Sequence, residues 1–141
     1  MAGIALGLLA SVVLAPALNI ARNGFVMPRF ACPTTAAAWL NPLLTAPLAE
    51  EVLFRGLVFR VLSERQGVWT GLVSSSGLFA LSHLPYWWLS GAKSGTDLWL
   101  SLLEIAGIGA LLGALYRWKR SLWIPLIYHC AINFVSVSFP R

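Results

Sequence analysis

Apolar residues gather in long runs along this chain, at about 2–21, 36–62, 68–89, 97–116 and 121–139. Each run approaches or exceeds the roughly 20 helical residues needed to cross a bilayer core. Runs of this length are read as spanning helices, since a buried strand is much shorter. The breaks between them are short and polar or carry Pro and Gly: Arg22 to Pro33, Ser63 to Gly67, Ser90 to Thr96 and Arg117 to Arg120. The pattern predicts an all-α, polytopic membrane bundle of about five transmembrane helices, built as a single domain over 1–141. No internal repeat or low-complexity segment interrupts it.

Tryptophan placement supports these boundaries. Trp39, Trp69, Trp87, Trp88, Trp99, Trp118 and Trp123 all fall near a run end, as an aromatic belt at the two lipid–water interfaces requires. The first run, 1–21, lacks a basic segment at its start and is expected to be a retained spanning helix rather than a cleaved signal.

Composition agrees. The chain is 58% hydrophobic and 11% charged, with a mean hydropathy of +0.76, whereas a soluble domain carries about a quarter charged residues. A net charge of +5 would suggest nucleic acid on a soluble protein. Here the basic residues sit in the polar breaks, where membrane anchors belong, and no nucleic-acid partner is expected. Five basic residues (Arg60, Arg65, Arg117, Lys119 and Arg120) share a side with the N-terminus, and four (Arg22, Arg29, Lys93 and Arg141) lie opposite. That balance leans only slightly to a cytoplasmic N-terminus. Cys32 and Cys130 imply neither a disulfide framework nor a metal pair.

The exceptions to apolarity carry the chemistry. Glu50 and Glu51 interrupt the second run, and a charge at bilayer depth costs about 2.5–3.5 kcal/mol on insertion scales. Glu51 and Arg55 are four apart and share a helix face, so they can pair. Glu50 points about 100° away from Glu51. The arrangement suggests a working acid, Glu50, beside a structural one, Glu51; the bland alternative is a network that only fastens helices. His83 lies inside the third run and by itself reads as a packing histidine. His129 and Asn133 in the fifth run are also four apart and share a face, which an interhelical hydrogen bond would explain equally. Glu104 adds an acid to the fourth run, with its role open. Gly109 and Gly113 form a small-xxx-small pair suited to close helix packing.

Three segments together resemble the CPBP family of intramembrane proteases, which includes the type II CAAX prenyl endopeptidases and bacteriocin-processing or immunity proteins. Glu50-Glu51-Val52-Leu53-Phe54-Arg55 fits E-E-x-x-x-R, Phe79-Ala80-Leu81-Ser82-His83 fits F-x-x-x-H, and His129-Cys130-Ala131-Ile132-Asn133 fits H-x-x-x-N. The approach Ser121 to Tyr128 is also similar, and the resemblance covers about residues 36–139, the expected catalytic core. It implies that Glu50 activates a hydrolytic water assisted by His83, that His129 and Asn133 steady the oxyanion, and that Glu51 and Arg55 hold the second helix in register. The substrate implied is a hydrophobic or lipid-associated protein or peptide.

Glu50, His83 and His129 would also suit zinc as three ligands with a fourth position for water. H-E-x-x-H is absent, and a metal-free glutamate route suits the same residues. Many relatives have additional spanning helices, so a homo-oligomer or a partner membrane protein is expected to complete the substrate-gripping surface. The short chain suits a processing role in the cell membrane of a prokaryote. Two alternatives stand beside the protease: a non-catalytic immunity or peptide-binding protein of the same fold, and a small proton or ion carrier that uses the acids and histidines as a relay.

Overall fold

The computed structural model describes residues 35–138, and every element among them is helical. The run expected at 1–21 and Cys32 lie outside the described residues. The second run forms a continuous helical rod, α1 (36–66), in which ordinary α turns alternate with π turns at Asn41–Thr45 and Val52–Phe59. Backbone angles at the junctions stay helical throughout. Pro47 explains the first π stretch, because a proline inside a helix removes a donor and crowds the carbonyl four residues back. A wider turn relieves that crowding. The second π stretch follows directly on the acid pair and carries Arg55.

Gly67, at φ +97°, ends α1 and starts α2 (Val68–Leu81), in a conformation that a side chain would resist. The expected third span does not form one helix. Pro85 cannot donate to the carbonyl of Leu81 and its ring would strike it, so the chain turns at Ser82-His83 and restarts as α3 (Leu84–Ser90). His83 therefore stands at a helix junction. Gly91, left-handed at φ +64°, caps α3 and leads to α4 (Gly95–Lys119). A left-handed Arg120 closes α4, and α5 (Trp123–Ser138) completes the described chain. Among the described residues α4 is the helix long and apolar enough by itself to cross a membrane, with α5 apolar but shorter.

The bundle is inside-out compared with a soluble protein. Leu40, Leu44, Leu48 and Val52 recur every four residues on an exposed stripe of α1, and Trp69, Val73, Leu103, Ile127 and Val135 are exposed on the other helices. Large contiguous apolar surface of this kind marks a surface made for lipid or a partner. The interior instead holds Glu51, Arg55, Ser75, Ser76, Ser101 and His129 beside Phe54, Phe79 and Leu112. Close approach of α2 and α4 depends on Gly109, where a Cβ would lie 3.1 Å from both Phe79 Cδ1 and Ser76 Cα. Gly113 lies against Leu72 in the same way, at 2.7 Å. Both glycines of the predicted packing pair thus do pack.

Candidate active site

Glu51 occupies the last residue of an α turn on α1 and is 1% exposed. One of its oxygens, Oε1, accepts from Arg55 Nη1 at 3.0 Å and faces Nδ1 of His129 on α5 at 2.8 Å. A carboxylate only accepts, so Nδ1 of His129 carries the hydrogen and the ring is fixed in that tautomer. Nε2 then looks the other way, 3.5 Å from Oε2 of Glu50. Glu50 is half-buried, with its side chain 30% exposed against 1% for Glu51. The two acids separate as their helical offset requires, one sealed and one accessible, and a single histidine joins them across 78 residues of sequence.

Arg55 is equally buried and reaches past Glu51 to a third helix. Its Nη2 donates to the carbonyl of Gly109 at 3.1 Å, and its guanidinium lies 4.5 Å from the ring centre of Phe79. An arginine in that place needs several partners, since an unpaired buried charge is very expensive. Glu51 Oε2 and Arg55 Nε still have no hydrogen-bond partner among the described residues. The pair is held tightly but is not fully satisfied.

Phe79 is the hub that sequence reasoning left without a role. Its ring meets Phe54, His83 and His129 edge-on at 5.3, 5.2 and 5.7 Å between centroids, besides Arg55 above it. The phenylalanine of F-x-x-x-H thus spaces the two histidines. His83 Nδ1 lies 2.9 Å from the Phe79 carbonyl, which can only accept, so here too Nδ1 carries the hydrogen and Nε2 is an acceptor. His83 makes no hydrogen bond to Glu50, His129 or Asn133 among the described residues, and touches the cluster through Phe79.

Asn133 is tied differently. Its Nδ2 donates to the carbonyl of Pro42 at 2.8 Å. That carbonyl is available for a local reason: the N–H of Ala46 goes to Asn41, and Pro47, five residues on, has no N–H to give. An amide from α5 fills the place, so Asn133 staples α5 to the π turn of α1 and keeps its second amide hydrogen for other use. In an ordinary α-helix Ala46 would serve Pro42 and Pro47 would leave Leu43 vacant, so the contact depends on the π turn. Glu104 is half-buried on α4, and Cys130 is a partly buried free thiol.

Among the described residues no three His, Cys, Asp or Glu side chains are grouped to hold a metal ion. Glu50 and His129 are neighbours, while His83 has its Nδ1 on a backbone carbonyl and its ring edge-on to Phe79. Two cavities in the structure lie outside this cluster, one apolar between α3 and α4 and one polar beside the end of α4.

Comparison with known proteins places these residues in a family. YpbD, an uncharacterized protein of Bacillus subtilis (strain 168), is 34% identical over 92 residues, which are 65% of this chain and 40% of that relative. The chain thus spans well under half the length of the curated relative it matches. No solved structure matches it. Residues 32–135, which contain all three motifs, match the model described as type II CAAX prenyl endopeptidase Rce1-like, and the chain belongs to that family.

Proposed function

We propose that this protein is an intramembrane endopeptidase that cleaves a membrane-associated protein or peptide with a glutamate-activated water. One observation carries it: His129 bridges a sealed carboxylate, Glu51, and an accessible one, Glu50. A network that merely fastened helices would seal both acids. The family match supports the reaction class.

In this mechanism Glu50 takes the proton of a water poised beside the scissile carbonyl. Proton transfer by a placed side chain contributes about 10²–10⁴-fold. With its hydrogen on Nδ1, His129 offers Nε2 as an acceptor next to Glu50, so in place of the oxyanion contact that the resemblance implies it receives that proton and returns it to the leaving amine, while Glu51 holds the ring and Arg55 balances Glu51. His83, as an acceptor at Nε2, assists in orienting the water. The remaining amide hydrogen of Asn133 is the donor for the oxyanion, a contact of a type worth about 3–4 kcal/mol. The scissile segment is extended, because a helix keeps its carbonyls engaged. The surrounding fold is a five-span bundle, with 1–21 as the first span and 36–139 as the catalytic core. A second copy or a partner membrane protein completes the grip on a hydrophobic substrate.

Membrane-protein mass spectrometry with wild type and Glu50→Gln compared tests the activity. Fragments present with wild type and lost in the variant are expected, and they name the substrate and its cleavage point together. An identical fragment pattern overturns the protease. Stringent chelation is expected to leave cleavage intact; loss on chelation with recovery on zinc addition would replace the metal-free route.

A further inference from the structure

The polar cavity at the far end of the bundle has a chemistry of its own. About 480 Å³ in volume, it is lined by Arg60 and Ser63 of α1, Val68 at the start of α2, and Arg117 and Arg120 at the end of α4, with Glu64 and Tyr116 beside them. We propose that this cavity binds the phosphate of an anionic phospholipid headgroup.

Charge is the first argument. Three arginines and one carboxylate, Glu64, line the cavity, and Glu64 pairs with Arg60 at 3.1 Å while both remain exposed. Among the described residues no carboxylate pairs with Arg117 or Arg120, and two positive charges are left over. Arginine forks match the oxygens of a phosphate.

Backbone conformation is the second. Arg120 takes φ +50°, the only positive φ outside glycine among the described residues. Glycine or asparagine is the usual occupant of such a helix-ending position, and the Cβ of another residue makes it unfavourable there. Attraction of a basic residue to the helix C-terminus explains Arg117 and Lys119 anywhere in the last turn. It does not explain why the strained position itself holds an arginine. A side chain aimed at a ligand does.

Depth is the third, and it selects a lipid over a soluble anion. Trp69, Trp118 and Trp123 are exposed at this same end of the bundle, where α2 and α5 begin and α4 ends. Exposed tryptophans at helix ends mark the headgroup level. Each arginine near an anionic surface adds about 1 kcal/mol of attraction, roughly fivefold in affinity.

The test uses the full chain in detergent, titrated with phosphatidylglycerol, phosphatidylcholine or inorganic phosphate, with bound species counted by native mass spectrometry and thermal stability followed in parallel. Retention and stabilisation by phosphatidylglycerol over phosphatidylcholine are expected. Arg120→Asn, which suits the left-handed backbone and so preserves the fold, should weaken phosphatidylglycerol about fivefold, as should Arg117→Gln. Arg65→Gln, at the same end but outside the cavity, should not. Equal retention of both lipids, or variants that bind as wild type does, overturns the proposal. Saturation by inorganic phosphate with no lipid preference overturns it in favour of a soluble anion. Catalysis is not the readout, so failure here leaves the protease proposal untouched.

Discussion

Helix α1 carries two acid–arginine pairs at the same spacing, and they behave as opposites. Glu51 and Arg55 are 3.0 Å apart with both side chains 1% exposed. Arg60 and Glu64 are 3.1 Å apart with side chains 64% and 63% exposed. Distance and residue type barely differ, yet the surroundings invert the energetics. The exposed pair is screened by water and salt and contributes little. The inner pair has been desolvated and stands only because Gly109, His129 and Phe79 complete its contacts. Spacing along a helix predicts that a pair forms; burial decides whether anything depends on it.

The comparison breaks hardest at Arg55. Arg55→Ala leaves the Glu51 carboxylate buried without its cation and should cost about 3–5 kcal/mol, read as a large fall in thermal stability in detergent. A loss below about 1 kcal/mol would put the inner pair in the class of the outer one. Next comes the scaffold that lets Arg55 reach α4. Gly109→Ala forces a methyl to 3.1 Å from Phe79 and Ser76 and should cost about 1–3 kcal/mol. Gly107→Ala, with no neighbour within 4 Å, should instead be neutral or stabilising by up to about 1 kcal/mol. Equal effects at the two glycines would remove the close-packing argument. The smallest effect belongs to the outer pair: Glu64→Ala should leave thermal stability in detergent close to that of wild type.

Much of this was legible in the sequence for specific reasons. Helical offset alone separated Glu50 from Glu51, and four-residue spacing paired Glu51 with Arg55. Gly109 and Gly113 read correctly as packing residues because small size every four residues has few other uses. The third span misread its own proline: apolar length argued for one helix, and the steric demand of Pro85 on Leu81 won. Two contacts needed three dimensions. No periodicity connects Asn133 to a carbonyl 91 residues away, and that acceptor is vacant only because the chain takes a π turn there. Phe79 was visible in its motif, but that one ring would space both histidines follows only from where α2 crosses α1 and α5.

The account stands on Glu50 and His129 working as one unit. The direct measurement is substrate cleavage by Glu50→Gln, His129→Gln and the double variant, each checked for an intact fold by thermal unfolding. Residues that share a proton lose activity non-additively. Each single change should therefore lower cleavage by about 10²-fold or more, and the double should fall no further than the worse single. Losses that multiply, or a single variant that cleaves like wild type, would contradict it.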